Sequence, residues 1–145
     1  MKKAIYILNG PNLNRLGTRE PEIYGSKTLS DIEADCRAAT DHDIVFKQSN
    51  LEGEIVEHIQ EAADKASALL INPAAYTHTS IAIYDALKLL DIPIVEIHLS
   101  QPAKRESFRR RSYVSEAATG TISGFGAKSY RLGLQAVIDL LKSKN

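Results

Sequence analysis

The fold prediction starts from IVEIHLSQPAKRESFRRR, residues 94–111, which changes from strand-forming to strongly basic. Its apolar residues are isoleucine, valine and leucine, which are typical of a buried parallel strand. Glu96, His98 and Ser100 recur at every second position, so their side chains share one face of that strand. Open α/β sheets bind ligands at the carboxyl ends of their strands, so this pattern indicates a site.

Four arginines follow the strand, at positions 105, 109, 110 and 111. A guanidinium group can grip a carboxylate or a phosphate with two parallel hydrogen bonds. We therefore expect a cationic clamp for an anionic substrate, beside a histidine suited to proton transfer.

Further strands and helices are predicted on both sides of this stretch. Apolar runs predict strands at residues 4–8, 44–46, 68–71, 92–99 and 120–123, and helical periodicity predicts helices at residues 28–39, 54–65, 80–90 and 130–141. Alternating strands and helices predict a parallel sheet covered on both faces. The expected architecture is a flavodoxin-like three-layer α/β sandwich with strand order 2-1-3-4-5, formed by one domain spanning residues 1–145.

The first, third and fourth strands would bring their carboxyl ends together in this order. Asn9 and Asn12 follow the first strand, and Asn72 and His78 follow the third. The segment that contains His78 runs into a helix N-terminus, which can bind anions through backbone N–H groups or can simply be capped by its own threonines and serines. A polar cluster is therefore predicted beside His98.

Residues 14–27 form a long loop without apolar periodicity, and loops of this length in compact domains are often functional. Gly17 and Gly25 could serve as hinges of a lid that carries Arg19 and Tyr24. A free phenol has a pKa of about 10, but a nearby cation favours the phenolate. Tyr24 is therefore either a base assisted by Arg19 or an exposed loop aromatic.

Composition excludes several classes of function. Eighteen basic residues balance eighteen acidic ones, so we expect neither nucleic-acid binding nor membrane binding through bulk charge. No apolar run approaches the ~20 residues of a membrane span, and the start lacks a secretory cleavage site, so a cytoplasmic location is expected. Cys36 is the only cysteine and is expected to be buried or half-buried, and the four histidines lack metal-ligand spacing. Residues 124–129 match neither standard phosphate-loop pattern.

Three motifs together resemble those of type II 3-dehydroquinate dehydratases. They are NGPNLNRLGTREPEIYG at residues 9–25, NPAAYTHTS at residues 72–80, and VEIHLS at residues 95–100 followed by RESFRRRS at residues 105–112. The resemblance covers nearly the whole chain. It implies a flavodoxin-like enzyme without metal or cofactor, which removes water from 3-dehydroquinate by anti elimination through an enolate in the shikimate pathway.

The resemblance also implies roles for individual residues. Tyr24 would be the base that takes the proton from C2, and Arg19 would lower the pKa of its phenol. Asn12 would help to hold a water that stabilises the enolate. His98 would protonate the leaving hydroxyl, with support from Glu96.

Substrate binding maps by the same resemblance onto a second set of residues, which comprises Asn72, His78, Leu99, Ser100 and Arg109. Asp85 corresponds to an aspartate that reaches the site from a neighbouring subunit. The implied assembly is a homododecamer built from trimers.

Four positions depart from the pattern of these enzymes. Ala74 and Ser129 stand where glycine is usual, Gln101 replaces an asparagine, and Arg110 stands where histidine is common. If position 74 requires a positive φ, alanine there would be strained. No departure removes a proposed catalytic group.

Two other functions remain open from the residues themselves. One is a non-catalytic flavodoxin-like module, either a receiver, which would need acidic residues at strand ends where Asn9 and Asn72 stand, or a flavin carrier, which would be yellow. The other is a related lyase that acts on a different small molecule.

Overall fold

Strands and helices alternate along the computed structural model, which describes residues 2–18 and 20–143 and, for Pro21 and Tyr24, the backbone only. The strands are β1 (Ala4–Asn9), β2 (Ile44–Gln48), β3 (Ala66–Asn72), β4 (Ile94–His98) and β5 (Gly120–Ser123). The helices are α1 (Pro21–Tyr24), α2 (Leu29–Ala38), α3 (Glu52–Lys65), α4 (Ile81–Leu87) and α5 (Lys128–Ser143).

The five strands form one parallel sheet in the order β2-β1-β3-β4-β5. This confirms the predicted flavodoxin-like order. The strand order reverses between β1 and β3, where Asn9 pairs in register with Asn72. A crevice is expected at this switch point, because the connections from β1 and β3 leave toward opposite faces of the sheet.

The two faces of the sheet carry separate apolar cores. Helices α2 and α5 cover one face, with Ile32, Tyr130 and Leu134 packed against Ile7. Helices α3 and α4 cover the other face and contribute residues that include Ile55, Ile59, Ile83 and Leu87. Strand β1 supplies both cores because its alternate side chains point to opposite faces.

Local sequence explains where the helices begin and end. Thr28 and Asp31 form a capping box at the start of α2, and the Ser80 hydroxyl caps α4. Helix α4 ends at Leu87 rather than at the predicted residue 90, because the chain tightens into a turn ahead of Pro93, a residue that disfavours helix before it.

Within one chain, helix α4 is covered on one side only. The side that carries Ile83 and Leu87 packs on the sheet, whereas Ile81 on the helix and Leu89 in the turn after it remain exposed.

The predicted long loop contains two single turns. They are a 3-10 turn at Leu13–Arg15 and the short helix α1. Gly17 and Gly25 have φ values of +91° and +85°, a region that glycine adopts readily. None of the helices described is both long enough and apolar enough to cross a membrane.

Candidate active site

The carboxyl ends of β1, β3 and β4 meet at a cleft, as the strand order predicts. Of the residues predicted for the site, those that line this cleft are Asn12, Asn72, His78, His98, Leu99, Ser100, Arg105 and Arg109. Ala74 lines it as well. The structure therefore brings together eight predicted residues that are scattered between positions 12 and 109 of the chain.

Glu96 and His98 form a buried pair at the end of β4. Nε2 of His98 is hydrogen-bonded to Oε2 of Glu96, which leaves Nδ1 as the ring nitrogen for a ligand in the cleft. Burial raises the pKa of Glu96, but hydrogen bonds from His98, Ser115 and Thr77 together with the charge of His98 outweigh it and lower the pKa to about 2. Glu96 is thus an anion whose position fixes the ring of His98.

Four hydroxyl groups surround the carboxylate of Glu96. Oε2 accepts hydrogen bonds from Thr77 and from Ser112, both at 2.8 Å. Oε1 accepts from Ser115 and, at 3.2 Å, from Thr121. Sequence reasoning missed all four, because serine and threonine are common and these four converge only in the folded chain.

His78 lies at the mouth of the cleft with one of its nitrogens engaged. Its Nδ1 donates to the main-chain carbonyl oxygen of Arg111 at 2.7 Å. Partial burial lowers the pKa of His78, and the nearby His98 and Arg109 add to this effect. A neutral ring with Nδ1 protonated presents Nε2 as an acceptor, which suits a hydroxyl group of a ligand.

Only two of the four predicted arginines line the cleft. Nη1 of Arg105 donates to the Ser100 hydroxyl at 3.2 Å, and Nε of Arg109 donates to Glu106 at 2.9 Å. The prediction that Arg110 and Arg111 belong to the clamp is wrong. Neither residue lines the cleft, both are exposed, and the Arg111 guanidinium lies 4.5 Å from the Tyr113 ring centroid. The turn at Ser107–Arg109 directs successive side chains to different sides.

Asn72 is held by a buried network that reaches helix α5. The Tyr130 hydroxyl donates to Oδ1 of Asn9 at 2.7 Å and accepts from Nδ2 of Asn72 at 2.9 Å. Oδ1 of Asn72 accepts from the backbone N–H of Ala74. Asn9 was predicted to lie beside Asn12 at the site, but its side chain points into the core. Tyr130 holds Asn72 in place and is a supporting residue that sequence reasoning missed.

Asn50 ties the loops after β1 and β3 together. Its Oδ1 accepts from the backbone N–H of Asn12 at 2.9 Å, and its carbonyl oxygen accepts from the Tyr76 hydroxyl at 2.7 Å. A second link joins the ends of the strands, where the N–H of Gly10 donates to the carbonyl oxygen of Asn72 at 2.8 Å. A Cβ atom on Gly10 would lie 2.4 Å from the carbonyl oxygen of Pro73.

Three of the departures have identifiable structural consequences. Ala74 adopts φ +52°, so the expected strain is present at this position. The side chain of Gln101 accepts from the Ser123 hydroxyl, and the Ser129 hydroxyl accepts from the backbone N–H of Phe125. Arg110 is exposed, and nothing in the structure explains its replacement of histidine.

Three further predicted residues, besides Asn9, Arg110 and Arg111, are not placed in the cleft. Arg19 and the side chain of Tyr24 lie outside the part of the chain that the structure describes, so their roles stay predictions. Asp85 lies exposed on α4 and does not line the cleft of its own chain.

Metal and thiol chemistry find no support among the described residues. No group of three or more His, Cys, Asp or Glu side chains within residues 2–18 and 20–143 could hold a metal ion. Cys36 is fully buried, as predicted, and burial raises the pKa of its thiol to about 11. A thiolate nucleophile at Cys36 is therefore disfavoured at neutral pH.

The fold and the cleft define a flavodoxin-like α/β protein with a histidine–carboxylate pair and arginines at the switch point of its sheet. The family model for dehydroquinase class II matches residues 3–138. The 3-dehydroquinate dehydratase of Phenylobacterium zucineum is 59% identical, covering 98% of this chain and all of that protein. That of Caulobacter vibrioides is 56% identical, covering 99% of this chain and all of that protein.

A solved structure agrees with these relatives. The type II dehydroquinase from Propionibacterium acnes has a TM-score of 0.90 and 45% identity, covering 96% of this chain and 98% of that one. The chain therefore belongs to the class II dehydroquinase family, whose members are hydro-lyases.

Proposed function

We propose that this chain removes water from 3-dehydroquinate by anti elimination through an enolate and releases 3-dehydroshikimate, without a metal or cofactor. Membership of the class II dehydroquinase family supports the reaction. The observation that supports this reaction at these residues is the buried His98–Glu96 pair, whose histidine lines the same cleft as Arg105 and Arg109. The cleft thus offers a proton donor beside cations that suit a substrate carboxylate.

His98 acts as the general acid in this proposal. Nδ1 delivers its proton to the leaving hydroxyl, the C–O bond breaks, and the electron pair of the enolate forms the double bond of the enone. The Nε2 bond to Glu96 supports this role, because it fixes the ring and the carboxylate attracts the imidazolium. Glu96 therefore supports the acid and does not itself touch the substrate.

Tyr24 acts as the base, with Arg19 favouring its phenolate and Asn12 helping to hold a water beside the enolate oxygen. The position of Asn12 in the cleft supports the last role. The loop that carries Tyr24 and Arg19 leaves β1 through Pro11 and Leu16, which both line the cleft. A base and an acid on opposite sides of the reacting carbons are what an anti elimination requires.

The binding residues divide by the part of the substrate they suit. Arg109 would bind the carboxylate, with the backbone of Leu99 and Ser100 beside it. Asn72 and His78 would bind hydroxyl groups, which the fixed amide and the Nε2 acceptor support.

We also propose that the chain forms a cytoplasmic homododecamer of trimers in which Asp85 reaches the site of a neighbour. The exposed Ile81 and Asp85 on α4, with the exposed Leu89 in the turn after it, support a contact through this helix. Light scattering would measure the assembly. Mixing inactive Asp85→Ala and His98→Ala subunits should restore part of the activity, because some mixed interfaces then contain both wild-type groups. A dodecamer without any restored activity would contradict the role of Asp85.

The activity is tested by ultraviolet absorbance, because the product is a conjugated enone. Purified protein mixed with 3-dehydroquinate should show a rise that survives both a chelator and borohydride. Tyr24→Phe and His98→Ala should each lower kcat by about 10²–10⁴-fold, the usual contribution of a positioned acid or base.

Matched substitutions away from the cleft control for the loss of a tyrosine or a histidine. Tyr6→Phe, on the sheet face covered by α3 and α4, and His42→Ala, in the turn before β2, should retain turnover. A folded protein without any absorbance rise would contradict the proposed function. Full activity in Tyr24→Phe would contradict the assignment of the base.

A further inference from the structure

Glu96 is a buried carboxylate whose charge is balanced by very few basic groups. It is 1% exposed, and among the described residues His98 is the one basic side chain that pairs with it. When His98 is an imidazolium, the two charges compensate each other. Once His98 has given its proton to the leaving hydroxyl, Glu96 is left as a buried anion without that partner, a state that burial makes costly.

The hydroxyl shell, which we define as Thr77, Ser112, Ser115 and Thr121, contacts the carboxylate of Glu96. The four residues come from separate segments, namely the turn after β3, the connection after β4, the turn at Val114–Glu116, and β5. Their hydroxyls occupy both carboxylate oxygens. The Thr77 and Ser112 hydroxyl oxygens also lie 2.6 Å apart. Each hydroxyl has one proton, so either both donate to Glu96 or one of them donates to the other.

Hydroxyl donors act on the two charge states unequally. They stabilise the carboxylate when it stands alone more than when it already faces an imidazolium, because the imidazolium has then satisfied part of its charge. The shell therefore lowers the free energy of the state that follows proton transfer relative to the state that precedes it. A lysine or arginine in the same place would also stabilise the anion, but it would repel the imidazolium.

We propose that the hydroxyl shell positions and stabilises Glu96 for the moment at which His98 gives up its proton, so that the shell makes His98 a stronger acid. This inference rests on the proposed function of His98. The four hydroxyl residues are positioning residues that act through Glu96 and do not touch the substrate.

Among the residues that the structure describes, the other charged groups near the pair come from two segments. His78 follows β3, and Arg105 and Arg109 follow β4. The described residues of β3 and β5, which flank β4, contribute no titratable side chain beside the pair. A change in pH dependence on altering the shell is therefore assigned to the pair, provided that His78 and the two arginines are kept.

Thr77 gives the sharpest test, because it is fully buried and has two substitutions of contrasting chemistry. Thr77→Val keeps the shape and removes the hydroxyl, whereas Thr77→Ser keeps the hydroxyl and removes a methyl group. We expect Thr77→Val to lower kcat by up to about threefold with KM within about twofold, and to move the alkaline limb of the kcat–pH profile up by about half a pH unit, since half a pKa unit is worth about a factor of three. Thr77→Ser should restore both values, and Ser67→Ala, at the opposite end of β3, should change neither.

Repeating the Thr77→Val substitution in a Glu96→Gln variant shows whether Thr77 acts through the carboxylate. In Glu96→Gln the anion is absent, so adding Thr77→Val should have little further effect on kcat. The titration of the His98 ring, followed by nuclear magnetic resonance without substrate, should move to higher pH in Thr77→Val. This measurement does not depend on turnover, so it distinguishes failure of the shell from failure of the proposed function.

Several outcomes would overturn the inference. In the first, the alkaline limb of the kcat–pH profile and the titration of the His98 ring stay in place or move to lower pH in Thr77→Val. In the second, Thr77→Val lowers kcat as much in the Glu96→Gln background as in the wild-type protein. In the third, Thr77→Ser folds but has a kcat as low as that of Thr77→Val. If Thr77→Val does not fold, Ser115→Ala, at an exposed position, carries the same expectations.

Discussion

Replacing Tyr130 by phenylalanine should destabilise the protein through the two asparagines that the hydroxyl joins. The hydroxyl lies between Oδ1 of Asn9 and Nδ2 of Asn72, and all three residues are at most 2% exposed. In Tyr130→Phe both amide atoms lose their partner where water has little access. Burial also raises the pKa of Tyr130, so the group removed is a neutral phenol over the whole working range of pH.

The size of the effect follows from the bonds that remain. Nδ2 of Asn9 still donates to the carbonyl oxygen of Lys47, and Oδ1 of Asn72 still accepts from Ala74, so one polar atom on each asparagine is left unpaired. An unpaired buried polar group costs about 1–3 kcal/mol. Allowing for partial relaxation, we expect Tyr130→Phe to lower the free energy of unfolding by about 2–4 kcal/mol.

Tyr6→Phe is the matched control. Tyr6 is also a buried tyrosine, and its hydroxyl donates to Glu61 at 2.7 Å. Glu61 is accessible to water and keeps its 3.0 Å contact with Lys47, so the control should lose less than about 1 kcal/mol.

Urea unfolding at one fixed protein concentration measures both variants, since the stability of an oligomer depends on concentration. Tyr130→Phe should shift the midpoint without changing the slope, and KM should rise because the Asn72 amide is no longer fixed. The reasoning is refuted if Tyr130→Phe loses no more stability than Tyr6→Phe.

Four further outcomes are expected. Gly10→Ala should lower the free energy of unfolding by about 1–3 kcal/mol in the same urea assay, because its Cβ would lie 2.4 Å from the Pro73 carbonyl oxygen. Ala74→Gly should raise it by up to about 1 kcal/mol by relieving φ +52°, and a loss would show that the methyl group matters more than the strain. The thiol of Cys36, whose pKa burial raises to about 11, should resist Ellman's reagent at neutral pH until the chain is denatured. The pKa of Glu96 is about 2 in the folded chain against 4.5 for an ordinary glutamate, so its contribution to stability is present above pH 4.5 and is lost as the pH falls toward 2. Glu96→Gln should therefore remove up to about 3 kcal/mol of the stability that the protein loses over this pH range, as measured by unfolding at several pH values, whereas an unchanged loss would contradict the assignment.

The sheet could be predicted from sequence because each strand carries its own signal. Three of the runs, in β1, β3 and β5, end at asparagine or glycine, and the alternation of strands with helices selects a parallel arrangement. Most residues of the cleft could be predicted as well, because polar groups at the carboxyl ends of parallel strands, such as Asn72 and His98, lie at one edge of the sheet.

Interactions between distant residues could not be predicted in the same way. Asn9 had the same sequence context as Asn12 but pairs with Tyr130, which lies 121 positions away. The hydroxyl shell of Glu96 depends on connections whose paths have no periodic signal. The direction of each arginine in residues 105–111 depends on a 3-10 turn at Ser107–Arg109 that composition does not indicate.

The bonds of Asn50 have a consequence for exchanging specificity between relatives. Because this residue binds Asn12 in one loop and Tyr76 in the other, the connections after β1 and β3 form a single mechanical unit, further joined by the Gly10–Asn72 bond. A chimaera that takes only one of these loops from a relative would inherit half of each interaction. A graft that preserves these interactions should therefore transfer both loops together with the relative's residue at the position of Asn50.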